Sequence, residues 1–293
     1  MTERTKLART EASVNGASAK RQFPAAALRL LGDRAKVAYI DASRGFGLVA
    51  TKALKYGTVV VEGESPLACM LDPGQPDTIC AHCWRYHAAV PCPWACGLNY
   101  CSDACMRAHV APHELLCTGR VDDETHALVR FKRHAMETNP VFLQAANLVA
   151  LLLMRPAETS LALENFARPL WHEAVHGDEA LKTALVELAE ASRALLVEAL
   201  TALFKDAEAV AMACSPEAWS RILGCFERNQ FVVQFSRTAA RAQDEEEEEE
   251  DTTGTGLFSL LCQANHACEP NAEIVFDSSN AGQLVTLLDV AEG

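Results

Sequence analysis

Short runs of β-branched and aromatic residues early in the chain predict strands. Residues 37–39 (VAY) and 58–62 (TVVVE) have the composition and length of short strands. Between them, the stretch RGFGLVA at residues 44–50 carries two glycines two positions apart. This spacing predicts a tight turn at which the backbone can approach a ligand, and an ordinary hairpin is the alternative.

Two apolar stretches in the middle of the chain predict helices. In the first, Asn139 suits the N-cap, Pro140 suits the first turn, and Pro156 is expected to end the helix. The second helix is predicted to begin near Asp178. Its leucines recur at spacings of three and four residues, so we expect them to pack rather than to bind a cofactor. They are Leu181, Leu185, Leu188, Leu196, Leu200 and Leu203.

The composition is that of a globular protein, with 49% hydrophobic and 22% charged residues. Much of the net charge of −13 comes from one unbroken run of eight acidic residues at 244–251. Like charges repel one another, so this run predicts a solvated loop. It is either a tolerated insertion or a patch that attracts a basic protein tail. The sequence has no broad basic field, so direct nucleic-acid binding is not expected.

The sequence carries no membrane or secretion signal. The best candidate for a membrane span, residues 141–154, is too short and includes Gln144 and Asn147. Residues 1–22 are polar and lack an apolar segment, so they predict a disordered tail, with an organelle-targeting segment as the alternative. We expect a protein of the nucleus, the cytoplasm or both, without membrane attachment.

Twelve cysteines are many for 293 residues, and seven of them fall between residues 80 and 117. Without a secretion signal, this clustering favours metal binding over disulfides. The potential ligands come in four pairs with spacings C-x2-C, C-x3-C, C-x3-C and H-x3-C, enough for two four-coordinate zinc ions. These candidate ligands are Cys80, Cys83, Cys92, Cys96, Cys101, Cys105, His113 and Cys117.

Three further histidines lie in this segment without fitting the pairs. His82, His87 and His109 each break the pairing, and we predict that they are surface residues. The alternative for the whole segment is a cluster of reduced, buried cysteines. The polar neighbours and the regular spacing favour metal, which would supply much of the folding free energy of so short a segment.

The spacing in this segment resembles the MYND-type zinc finger. The YCS at residues 100–102 and the steps from it to Cys105, His113 and Cys117 match that pattern. The x3 step between Cys92 and Cys96 departs from it, because x2 is usual. The resemblance implies interleaved pairs. One zinc would take Cys80, Cys83, Cys101 and Cys105, and the other would take Cys92, Cys96, His113 and Cys117.

Three more motifs extend the resemblance. NHACEPN at residues 265–271 resembles the NHSCxPN motif of SET-domain lysine methyltransferases, with Ala267 in place of Ser. RGFGL resembles that family's cofactor loop, and RNQF at residues 228–231 resembles its intermediate motif. The order of the motifs over residues 36–293 is similar to that of SET-and-MYND methyltransferases. The implied fold class is α+β, with SET-domain β-sheets interrupted by a MYND-type two-zinc finger and a helical insertion.

This resemblance divides the chain into five parts. They are an N-terminal disordered tail at 1–35, the first part of the SET domain at 36–79, the zinc finger at 80–117, a helical insertion at 118–220, and the second part of the SET domain at 221–293, with the acidic loop at 244–251.

The resemblance also implies a function, namely transfer of a methyl group from S-adenosyl-L-methionine to lysine in a basic protein such as a histone tail. Arg44 is expected to pair with the cofactor's carboxylate. Asn229 and Asn265 are expected to bind the methionine portion, with a structural cap as the alternative role for Asn229. His266 is expected beside the adenine, with a core histidine as the alternative. The backbone around Gly45, Phe46 and Gly47 is expected to approach the cofactor, Pro270 and Asn271 to shape the loop, and Cys268 to have no zinc partners.

The family's catalytic tyrosine follows a GEE sequence beyond the point at which this chain reaches Gly293. The tyrosines of the chain, which are Tyr39, Tyr56, Tyr86 and Tyr100, do not match that motif. We therefore expect a methyltransferase cut short before its catalytic segment and weak or inactive as it stands. The alternative is a complete, non-catalytic module whose finger recruits a partner, such as a proline-rich peptide.

Overall fold

The computed structural model describes residues 21–121, 123–236 and 251–293, and in these ranges it has the predicted α+β fold. The helices are α1 (Ala25–Arg29), α2 (Asp103–Leu116), α3 (Ala127–Thr138), α4 (Val141–Met154), α5 (Pro156–Leu163), α6 (Trp171–Ala174), α7 (Glu179–Leu203), α8 (Ala207–Ala213) and α9 (Pro216–Asn229), and a 3-10 helix covers Leu261–Gln263. The strands are β1 (Ala35–Asp41), β2 (Gly45–Ala50), β3 (Val59–Glu64), β4 (Ala68–Leu71), β5 (Val90–Pro91), β6 (Asn99–Tyr100), β7 (Gln230–Ser236), β8 (Asp251–Leu257), β9 (Ala272–Val275) and β10 (Gly282–Thr286).

The strands form small antiparallel sheets that join the two ends of the chain. β1 pairs with β2 and β5 with β6. One three-stranded sheet has the order β3-β10-β9, and the other has the order β4-β8-β7. Because β3 and β4 precede the cysteine-rich segment while their partners follow the helical insertion, neither larger sheet can form from one half of the chain alone.

The β1–β2 hairpin corrects the prediction for the glycine pair. The Asp41 carboxylate accepts hydrogen bonds from the backbone N–H groups of Ser43 at 2.9 Å and Arg44 at 2.8 Å. Gly45 completes the turn with a φ of 68°, a conformation that favours glycine. Gly47 does not lie in the turn. It is buried inside β2, so its lack of a side chain serves a close contact within the fold.

The helix boundaries lie close to the predicted caps, although Pro140 rather than Asn139 is the N-cap of α4. Asn139 accepts a hydrogen bond from the N–H of Val141 at 3.0 Å, and Asp178 accepts one from Leu181 at 2.9 Å. α4 ends at Met154, and Pro156 then begins α5, where a proline fits the first turn. None of the helices in the described ranges is long and apolar enough to cross a membrane.

The predicted leucine face of α7 is buried only in its middle. Leu196 and Leu200 are fully buried, and Leu185 and Leu188 pack at the edge of the same core. Leu181 and Leu203, at the two ends of the helix, are exposed. For these two the packing prediction was wrong, because the helix is longer than the core that it covers.

The buried apolar side chains form three clusters, one for each part of the fold. The largest lies among helices α2 to α9 and includes Phe142 and Trp219. The second lies between the sheets and includes Val61 and Phe258. The third holds only Cys80, Cys92 and Tyr100 as buried members, so the cysteine-rich segment has little apolar core of its own.

One boundary prediction differs from the structure, and a second falls largely outside the described residues. The tail was expected over residues 1–35. Residues 1–20 lie outside the described ranges, but the chain is already packed from α1 onward, with Phe23 and Leu31 buried in the core between the sheets. The acidic loop at 244–251 also falls largely outside the described residues. Its last residue, Asp251, begins β8 and accepts a hydrogen bond from Gln234 Nε2 at 2.6 Å.

A buried carboxylate ties the first half of the fold to the last. Glu64, the last residue of β3, accepts hydrogen bonds from the N–H groups of Leu260 at 2.8 Å and Leu261 at 2.7 Å. The Ser259 hydroxyl donates a third at 3.0 Å. Burial raises the pKa of the Glu64 carboxyl above its usual range, and these three hydrogen bonds oppose that rise only in part.

Replacing Glu64 tests this connection. We expect Glu64→Gln to lower the free energy of unfolding by about 1–3 kcal/mol, because the carboxamide turns an N–H group toward a backbone N–H donor. Ionising the buried carboxyl costs free energy in the wild type only. The wild type's advantage should therefore be fully present below the usual pKa of a glutamate and decline as pH rises through the raised pKa of Glu64.

Urea unfolding at several pH values measures both effects. The matched control is Glu62→Gln, whose side chain is 59% exposed and should change stability by less than about 1 kcal/mol. Equal stability of the two variants, or a wild-type advantage that grows with pH, would contradict the role assigned to Glu64.

Candidate metal centres and cofactor site

Eight side chains between residues 80 and 117 gather into two groups of four. Within each group, the sulfur and ring-nitrogen atoms lie within 4.8 Å of one another. We call these groups set A, which is Cys80, Cys83, Cys101 and Cys105, and set B, which is Cys92, Cys96, His113 and Cys117. They have the same members as the two interleaved zinc sites that the MYND resemblance implied.

The distances suit tetrahedral coordination of a metal ion. In set A, Cys101 Sγ lies 3.6 Å from Cys83 Sγ and 3.5 Å from Cys105 Sγ. Sulfurs around one tetrahedral zinc ion are separated by about 3.8 Å. In set B, His113 Nε2 lies 3.3 Å from Cys92 Sγ and 3.4 Å from Cys96 Sγ. Each set therefore offers a closed shell of four ligands of the types that zinc prefers.

Helix α2 connects the two sets. Ser102 caps the helix by accepting a hydrogen bond from the N–H of Cys105 at 3.2 Å, which fixes the first turn beside set A. Two turns further on, His113 reaches set B, and Cys117 follows four residues later on the same side. Burial lowers the pKa of His113 to about 4, so its imidazole is held in the neutral form that binds metal.

The structure corrects the prediction that the remaining histidines lie on the surface. His87 is exposed, but the ring of His109 stacks on that of His113 with centroids 5.2 Å apart. The Tyr100 hydroxyl lies 3.0 Å from His109 Nδ1, and burial lowers the pKa of His109 to about 3. His82 and His109 also line a cavity of about 510 Å³ between the cysteine-rich segment and helices α1, α4 and α5. His109 therefore packs inside the cysteine-rich segment, which the spacing of the cysteine pairs did not predict.

Two of the predicted cofactor segments meet in the fold. The Asn265 side chain donates a hydrogen bond to the carbonyl oxygen of Phe46 at 3.2 Å, across 219 positions of sequence. A Cβ atom at Gly47 would lie 2.5 Å from Asn265 Nδ2, closer than real atoms approach. The glycine therefore leaves room for the Asn265 side chain to lie against β2, and Asn265 itself is exposed at the surface.

The other predicted cofactor residues have these surroundings. The Arg44 guanidinium is exposed and bonds the Asp41 carboxylate, with Nε at 2.8 Å from Oδ2. Asn229 ends α9, where its Nδ2 donates to the carbonyl of Cys225 at 2.7 Å and to that of Ala167 at 2.8 Å. This is the structural-cap arrangement that the sequence left open. The roles of Arg44 and Asn229 in binding a cofactor stay predictions.

His266 is exposed, so the alternative that it is a core histidine was wrong. Its Nε2 lies 3.7 Å from Cys268 Sγ. Among the described residues, Cys268 joins neither set A nor set B, and the expectation that it lacks zinc partners stays a prediction.

Three residues that the sequence did not single out lie beside this contact. The Arg21 guanidinium lies over the Phe46 ring, with Cζ 5.0 Å from the ring centroid. Arg21 Nη1 also donates to the backbone carbonyl of Asn165 and to Gln263 Oε1. The position of Gln263, two residues before Asn265, was the only sequence feature that could have identified any of the three. No sequence feature identifies Arg21 or Asn165, because their contacts join distant parts of the chain.

Comparison with known proteins gives two curated relatives. The first is "SET domain and MYND-type zinc finger protein 6" of Schizosaccharomyces pombe, 25% identical over 247 residues that cover 84% of this chain and 42% of that protein. The second is "Histone-lysine N-methyltransferase ATXR2" of Arabidopsis thaliana, 40% identical over 68 residues that cover 22% of this chain and 14% of that protein. No protein-family model matches the chain.

The resemblance to SET-and-MYND proteins is confirmed by these relatives together with the two four-ligand sets. The α+β fold with its cysteine-rich insertion agrees with that architecture. The chain spans less than half the length of each curated relative that it matches.

Zinc content tests the metal centres directly. We expect metal-replete protein to carry two zinc ions per chain, one for each set. Cys83→Ser should reduce the content to about one, because a set that loses a thiolate no longer has four strong ligands. Elemental analysis of purified protein measures this. Cys268→Ser is the matched control and should retain both ions, because its thiol is exposed and outside both sets. Fewer than one zinc per chain in the wild type would contradict the assignment.

Proposed function

We propose that the protein acts in S-adenosyl-L-methionine-dependent methylation of lysine in a basic protein, such as a histone tail. The contact of Asn265 with the Phe46 carbonyl carries this proposal, because it joins the two segments that resemble the family's cofactor loop and NH motif. One curated relative, named a histone-lysine N-methyltransferase, supports the substrate class.

The residues at this contact fit such a cofactor chemically. S-adenosylmethionine carries a carboxylate and an ammonium group at its methionine end, so its site needs both donors and acceptors. The amide of Asn265 and the imidazole of His266 are exposed beside β2 and supply both kinds of group. We call the region where β2 meets the NHACEPN loop the cofactor cradle. The close packing that Gly47 permits holds these two segments together, so the cradle is ordered before a ligand arrives.

When bound, the cofactor supplies an electrophilic methyl group on a sulfonium ion. The residues of this chain bind and orient. Asn265 fixes the cofactor loop through Phe46, and Glu64 fixes the 3-10 helix that leads into the NHACEPN loop. Fixing both sides lets the methyl group be presented in one orientation, and orientation supplies much of the rate of a group transfer. By resemblance, a complete site also needs a catalytic tyrosine.

A second candidate function is a non-catalytic module that recruits a partner through the finger. Trp94 and Leu98, between the two ends of the cysteine-rich segment, are each 39% exposed. The Trp94 ring centroid lies 6.0 Å from that of His113, so a metal in set B would help to order it. Exposed aromatic side chains on a rigid frame suit a proline-rich peptide, which the MYND resemblance also implies. We propose that the protein works in the nucleus, the cytoplasm or both.

Cofactor binding tests the first proposal. We expect calorimetry to show binding of S-adenosylmethionine to the zinc-loaded chain, and Asn265→Ala to weaken it about fivefold, the effect of one neutral hydrogen bond. Gln234→Ala, which removes an exposed amide outside the three cofactor motifs, is the control and should bind as the wild type does.

Transfer of radiolabelled methyl groups to histones, by this chain and by a longer natural form if one exists, then tests the reaction. Absence of cofactor binding in the folded wild type would overturn the methyltransferase proposal and leave the recruiting module. Unchanged affinity in Asn265→Ala would contradict the site assignment alone.

A further inference from the structure

Arg21 is a half-buried cation beside the proposed cofactor cradle. Its side chain lies partly away from water, and this burial lowers the pKa of the guanidinium. Its hydrogen-bond partners are neutral oxygens, the Asn165 carbonyl and Gln263 Oε1. No carboxylate among the described residues forms an ion pair with it, and its Nε and Nη2 groups make no hydrogen bond to any described residue.

Other arginines in the described ranges behave differently. Several form ion pairs with carboxylates, so their charges are compensated within the fold. These pairs are Arg34–Glu62, Arg44–Asp41, Arg130–Glu198, Arg133–Glu124, Arg193–Glu190 and Arg221–Glu217. Removing a cation partly from water without an anion costs free energy, and an anionic ligand that pairs with it recovers that cost.

The surroundings of Arg21 point to the kind of anion. The guanidinium lies over Phe46, and Phe46 accepts the hydrogen bond from Asn265 that joins the cradle. Asn165, whose carbonyl receives Arg21, is 1% exposed, and its side-chain Oδ1 has no hydrogen-bond partner within the described ranges. The Arg21 guanidinium thus keeps unused donors beside the cradle, which suits pairing with a ligand carboxylate.

We propose that Arg21, rather than Arg44, binds the carboxylate of S-adenosylmethionine. Arg44 is already engaged by Asp41 in the hairpin turn, and its side chain is 61% exposed. Arg21 has unused donors and a neutral, partly desolvated setting, in which a charge-assisted pair is strong. This inference rests on the proposed function, because it assigns a residue to the same cofactor site.

The experiment compares S-adenosylmethionine with decarboxylated S-adenosylmethionine, which lacks only the carboxylate. Calorimetry with zinc-loaded wild type is expected to show about 10- to 100-fold tighter binding of the carboxylated compound. Arg21→Gln should reduce this ratio to about two- or threefold by weakening S-adenosylmethionine alone. Arg21→Lys should give an intermediate ratio, because an ammonium keeps the charge and loses the planar fork.

Two further variants separate the outcomes. Arg29→Gln, an exposed arginine of α1, is the matched control for the loss of one positive charge and should leave the ratio at its wild-type value. Arg44→Gln tests the residue that the sequence predicted. A ratio that collapses in Arg44→Gln and persists in Arg21→Gln would overturn the inference in favour of Arg44.

Three other results would overturn the inference. Tighter binding of both compounds to Arg21→Gln would mean that Arg21 covers the cradle, and would overturn the inference. A wild type that binds both compounds with equal affinity would also overturn it, while cofactor binding itself would stand. A folded wild type that binds neither compound would overturn the proposed function and this inference together. Thermal unfolding and zinc content of each variant establish that it is folded.

Discussion

The buried carboxylate of Glu64 is the constraint on which the rest of the candidate site depends. It satisfies two backbone N–H groups and one hydroxyl at the start of the 3-10 helix, and no water-exposed group replaces it there. The position of that helix decides where Gln263 and Asn265 project. Their contacts with Arg21 and Phe46 follow from it, so one desolvated acid positions the side chains of the candidate cofactor site.

The three parts of the fold are held together by different forces. The helical part is held together by an apolar core, and the two larger sheets enclose a second apolar core. The cysteine-rich segment has three buried members in its cluster, too few to offset the conformational entropy of some forty residues without bound metal. α2 packs against α4, and the Gln144 side chain of α4 contacts Thr255 of β8. The cysteine-rich segment is thus connected to the β4-β8-β7 sheet through α2 and α4.

Local chemistry made parts of this structure predictable from sequence. The four cysteine pairs, the caps at Asn139 and Asp178, and the turn at Gly45 each depend on neighbouring residues. The long contacts could not be predicted in the same way. Gly47 fitted a turn by its spacing, but its role depends on Asn265, and Arg21 reaches Asn165 across 144 positions. The two ends of α7 were misjudged because periodicity shows which face is apolar but not how far a core extends along it.

The pairing of early strands with late ones has a consequence for synthesis on the ribosome. Sets A and B draw all their ligands from residues 80–117, so both can capture metal as soon as that segment has emerged. β3, β4 and the carboxylate of Glu64 must wait for partners beyond residue 250. During that interval the nascent chain carries a metal-ordered finger on the C-terminal side of β3 and β4, whose edges are still unpaired.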